Sequence, residues 1–230
     1  DKDKQNDGFY ENKEETFAPT FYISWPSRIP YFFFIVAPWF GKGDYARFAL
    51  DLSLMSLLIV SVYMCSNKKN YLIIALFLAA PALLRLFFPT TEVDEITLAF
   101  NILFLAFVIV VLLHLLFTTG YVTTDVIYAA LAVYFLVGVF YGLIFTLIEC
   151  FFPGSFFLPQ VVENETFYGA YGQDLIYFSF ITLTTSGYGD IVPLSQPAKF
   201  LSILEAITGQ LYLTVTIARL IGMHISQLKQ

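Results

Sequence analysis

Thr184-Thr185-Ser186-Gly187-Tyr188-Gly189-Asp190 is the stretch whose reading decides the fold. Two glycines, three aliphatic hydroxyls and an acid do not make a membrane helix, yet the run lies between strongly apolar segments at 175–183 and 200–223. Irregular backbone at membrane depth is tolerated only where it lines a water-filled path or is buried in protein. Glycines admit conformations closed to other L-residues, so successive carbonyls can turn toward one axis. A ring of such strands replaces the water around a dehydrated cation.

Working outward, the composition agrees with a membrane setting. The 230 residues are 58% hydrophobic and 13% charged, against about 45–50% and about 25% in ordinary soluble domains. Several apolar runs reach or approach the roughly 20 residues that cross a hydrocarbon core. The net charge of −6 sits mostly in connecting segments and gives no case for nucleic-acid binding. Cys65 and Cys150 lie at ends of different spans, so no intrachain disulfide is expected, and no zinc-ligand spacing occurs. No helix offers clustered His, Cys or paired carboxylates, so an enzyme is not expected.

Residues 1–20 read as a polar, solvated tail without a signal-peptide pattern. Residues 21–40 are apolar and aromatic but broken by Pro26, Pro30 and Pro38. They form either a kinked first span or an interfacial segment anchored by Trp25 and Trp39. Four spans follow at 46–65, 71–88, 96–118 and 125–152, and an inner helix at 199–223. Lys68 and Lys69 mark the cytoplasmic side, which places the acidic link at 89–95 and the segment at 152–172 outside. The chain thus divides into the tail, N-terminal transmembrane helices at 21–124, and a pore domain at 125–225. One filter motif and no internal repeat mean that four chains must each contribute a strand about a cyclic axis.

Over residues 125–225 the sequence resembles the tetrameric potassium-channel pore family. Thr185 to Gly189 match its T-V-G-Y-G consensus at four positions of five, with Ser186 where Val is usual. The resemblance implies an all-α membrane protein of five to six transmembrane helices with a re-entrant pore helix, a selectivity filter and fourfold symmetry. It implies a homotetramer in the cell membrane that conducts potassium passively, with ions in the filter and no cofactor. The pore helix is expected at 173–184, its negative C-terminal end directed at the membrane centre. By resemblance, the carbonyls of Thr185, Ser186, Gly187 and Tyr188 line the potassium sites, the Thr185 hydroxyl forms the innermost ring and Gly189 lets the strand turn out. Thr184 and Asp190 flank the filter, and Asp190 ties the strand to Tyr177 and Phe178 on the pore helix. Gly209 falls at the family's hinge position, read as a bend point or as close helix packing. Gln210, Leu213 and Ile217 then face the cavity at helical spacing.

Glu205 is an acid inside an apolar helix, where an ionisable group is a functional hypothesis by default. It is expected to bond to the pore helix behind the filter. Ser186 replaces an apolar side chain there and needs a hydrogen-bond partner. That substitution motivates the alternative of a weakly selective monovalent cation channel. A secondary transporter, the alternative of another class, would need repeat symmetry. The span at 96–118 carries His114 but no arginine, so a conventional voltage sensor is not expected. Asp51 and Arg85 are expected to pair in the outer leaflet.

Overall fold

The structure, a computed structural model, describes residues 94–158 and 167–228. The expected tail, the segments at 21–40, 46–65 and 71–88 and the Asp51–Arg85 pair lie outside the described residues. Four helices follow in order: α1 (Asp94–Thr118), α2 (Thr124–Phe151), α3 (Phe167–Leu183) and α4 (Gln196–Gln227). A two-residue strand β1 (Phe156–Phe157) after α2 pairs antiparallel with β2 (Val192–Pro193) before α4. Three stretches are long and apolar enough to cross a membrane: Ile96–Thr118, Val126–Phe151 and Gln196–Gln227. The described part is an all-α membrane architecture.

Local chemistry explains the helix ends. The Thr123 hydroxyl accepts from Val126 N at 3.3 Å and starts α2. The Ser195 hydroxyl does the same for Ala198 N at 3.3 Å, with Pro197 in the first turn where its missing N–H costs nothing. These caps start α4 three residues before the expected Lys199. The helix α3 also begins earlier than its expected start at Gln173. Gly169 and Gly172 weaken the helical signal by about 1 kcal/mol each relative to Ala, which is why the sequence reading stopped short.

The helix α2 is central and packs against α1, α3 and α4. Its two glycines on one face, Gly138 and Gly142, form a small-residue groove of the kind that lets membrane helices approach closely. A Cβ at Gly142 would lie 2.8 Å from the Ile176 backbone, and one at Gly138 would lie 2.6 Å from the Phe180 ring. Ile176 and Phe180 are four apart, so one stripe of α3 fills one groove of α2. Leu98, Leu105, Phe145, Leu175 and Leu183 are fully buried in the shared core. At the far end, the Arg219 guanidinium of α4 donates to the carbonyls of Phe117 at 2.7 Å and Thr119 at 3.0 Å. It thereby satisfies carbonyls that the last turn of α1 leaves unpaired.

Candidate functional site

The last turn of α3 runs directly into Thr184–Asp190, and its hydrogen bonds define how. Thr185 N donates to Thr182 O at 2.9 Å, and Ser186 N donates to Ile181 O at 2.9 Å. Thr185 sits between them at φ 58°. This is a Schellman end, the helix stop that ordinarily uses glycine in its left-handed position. A β-branched residue there is a genuine outlier and costs on the order of 1–2 kcal/mol. Glycine would be cheaper, so the threonine side chain is retained at an energetic cost, as strained residues at functional sites are.

The left-handed conformation then recurs at every second residue, with φ 56° at Gly187 and 80° at Gly189. Alternating handedness sends amides to one edge of a strand and carbonyls to the other. The amide edge is used: Thr184 N, Thr185 N, Ser186 N and Gly187 N all return to carbonyls of α3. The carbonyl edge is not: among the described residues no backbone N–H donates to a carbonyl from Thr185 to Gly189. Thr184 to Asp190 are exposed in the single chain, Tyr188 at 72%. Exposed, aligned and unpaired carbonyls form a ready set of hard oxygen donors. Nothing approaches within 4 Å of a Cβ at Gly187 or Gly189, so it is backbone conformation, not space, that demands glycine.

Both ends of the strand are fastened. At the outer end the Tyr177 hydroxyl donates to Asp190 Oδ2 at 2.8 Å, as the sequence suggested. Phe178 does not join it. One helical residue on, it points into the core, edge-to-face with Phe145 at 5.2 Å and Phe156 at 5.4 Å. A ring without a donor has nothing to offer a carboxylate, and packing claims it. After Asp190, Ile191 is buried and β2 returns to β1. The turn that carries β1 is held by Glu149, whose carboxylate accepts from Gly154 N at 2.7 Å and Phe156 N at 3.0 Å.

Behind the strand, Ser186 bonds to the Thr184 hydroxyl at 3.0 Å. Thr184 also lies 2.7 Å from Phe180 O, so the Thr184 proton goes to that carbonyl and Ser186 is the donor between the two hydroxyls. The partner that Ser186 needed is thus two residues away, not on α4. Glu205, fully buried, meets the hydroxyl of Ser179 on α3, the contact with the pore helix that the sequence led one to expect. Tyr134 of α2 reaches Leu183 O at 3.4 Å and stacks on Tyr212 of α4. Gly209 is buried where α4 crosses α3: a Cβ there would lie 2.8 Å from Leu183 O. The helix α4 runs unbroken through it, and close approach alone accounts for the glycine. Gln210, Leu213 and Ile217 are exposed on α4. The sequence reading missed Gly138, Gly142, Glu149 and Ser179. A Gly-x-x-x-Gly spacing within an apolar run was the legible signal for the first two.

The fold and the site together point to a class of protein, the helical membrane channel. Residues 124–225 match the family described as Ion channel, and the resemblance read from the motif is borne out over that segment. The chain is also 37% identical over 76 residues to Two-pore potassium channel 4 of Arabidopsis thaliana. That match covers 33% of this chain and 25% of the relative, so the chain spans about a quarter of the length of that curated protein. No solved structure matches.

Proposed function

We propose that this protein is a potassium-selective channel of the cell membrane, multi-pass, in which Thr185–Gly189 is the selectivity filter. The observation that carries the reading is the left-handed backbone at 185, 187 and 189 with its carbonyl edge unpaired. The carbonyls of Thr185, Ser186, Gly187 and Tyr188 replace the hydration shell of potassium, and the Thr185 hydroxyl adds the innermost oxygens. No proton transfer, nucleophile or cofactor is involved, and ions move down their gradient. The name of the Arabidopsis relative supports potassium as the ion. With one filter strand per chain, four copies close the ring as a homotetramer. The exposed apolar residues of α4, Phe200, Ile203, Ile207 and Leu211 among them, are the surface those copies share. Gln210, Leu213 and Ile217 line the cavity below the filter. A voltage sensor of the arginine type plays no part.

The test is potassium efflux from liposomes holding the purified protein. Wild type drains the trapped potassium, and Gly187→Val, which puts a β-branched side chain at φ 56°, does not. A wild type that leaves the potassium trapped contradicts the reading. Ser186 favours one second reading, a weakly selective cation channel, because its hydroxyl stands where apolar packing is usual. Under the potassium reading Ser186→Val keeps selectivity equal or sharpens it, and Ser186→Ala lets sodium through more easily.

A further inference from the structure

We propose that Glu205 is a neutral carboxylic acid whose proton is given to Ser179, and that Ser179 in turn gives its own proton to Gly138, so that two protons tie α4, α3 and α2 together behind the strand. Ser179 Oγ lies 2.6 Å from the Gly138 carbonyl and also within bonding reach of Glu205 Oε1. A backbone carbonyl can only accept, so that contact uses the one hydroxyl proton of Ser179. A second short contact between the same hydroxyl oxygen and a carboxyl then needs a proton of its own, and Glu205 is the group able to supply it.

The surroundings agree. Glu205 is 0% exposed and its Oε2 has no partner, a position that a carbonyl oxygen of a neutral acid tolerates far better than half of a carboxylate charge. Tyr134, the titratable group beside it on α2, spends its hydroxyl on Leu183 O. The basic residues of α4 lie elsewhere, with Lys199 exposed and Arg219 bonded to the end of α1. Glu149 makes the contrast within the same chain. It is also sequestered, at 5% exposure, but accepts two backbone N–H groups. Glu205 receives no N–H donor among the described residues.

The relay makes Glu205 a positioning residue for the filter. Ser179 lies within α3, one helical turn before Leu183 and the Schellman end, so fixing it from two sides fixes the origin of the strand. This consequence rests on the channel reading above; the presence of the proton does not. The experiment therefore reads the proton directly, as the C=O stretch of a protonated carboxyl in the infrared spectrum of the purified full chain in lipid at neutral pH. The expected result is one such band that shifts in heavy water and is absent in Glu205→Gln, with potassium flux in the same variant lowered as its positioning role requires. If Glu205→Gln fails to assemble, Ser179→Ala assigns the band instead, because the acid remains but loses its acceptor and the band moves. Absence of any protonated-carboxyl band in wild type, or a band that neither variant alters, overturns the proposal whatever the flux shows.

Discussion

The helices α2 and α4 are both long and apolar, and they are completed in different ways. In its most apolar stretch α2 is 67% buried within its own chain, and α4 only 22%. Everything that positions α3 is already present in one chain: the glycine groove, the Ser179 bonds, Glu149 and the three-ring cluster around Phe178. Everything that faces outward, the carbonyl edge of 185–189 and the apolar face of α4, is unpartnered there. The scaffold side is a folding problem solved locally, whereas the carbonyl edge of 185–189 and the apolar face of α4 find no partner among the described residues of one chain.

That contrast can be broken first on the scaffold side. In Gly142→Val the new side chain meets the backbone of α3, which has nowhere to go, and overpacking of about 3 kcal/mol or more is expected. The readout is loss of assembled protein on size exclusion. Gly138→Ala sharpens the point, because its Cβ meets the far edge of the Phe180 ring, which can rotate, and about 1 kcal/mol is expected.

The filter side should respond in the opposite sense. Thr185→Gly relieves a left-handed β-branched residue, so thermal stability is expected to hold or rise by about 1 kcal/mol. Potassium-to-sodium permeability is expected to fall about tenfold, as one ring of hydroxyl oxygens and its stiffness are lost. A variant that is both less stable and equally selective would show that the threonine serves the fold and not the ion.

Smaller again is Tyr177→Phe, which removes one partly exposed bond to Asp190. A cost of about 1 kcal/mol is expected, seen as a roughly fivefold shorter lifetime of the conducting state in single-channel records, with selectivity kept.

Much of this was legible in the sequence because the filter motif is written in residue types that only one conformation explains. The all-α membrane fold and the channel class followed from that motif and its apolar flanks. Tyr177 met Asp190 because both belong to the same short loop-and-helix unit. Other features were not legible because they depend on which helix lies behind which. Nothing in the local sequence says that Phe178 turns into a ring cluster with Phe145 and Phe156, or that Ser179 is the pore-helix residue that meets Glu205. The start of α3 was missed since its two early glycines oppose a helix that the adjoining turns nonetheless sustain.

The central claim is that the unpaired carbonyl edge of 185–189 selects potassium. The most direct measurement is the reversal potential of the purified protein in planar bilayers, with potassium on one side and sodium on the other. The expected result is a reversal far toward the potassium equilibrium potential, shifted toward zero in Thr185→Gly. A wild-type reversal near zero, with sodium carrying current as readily as potassium, would contradict it.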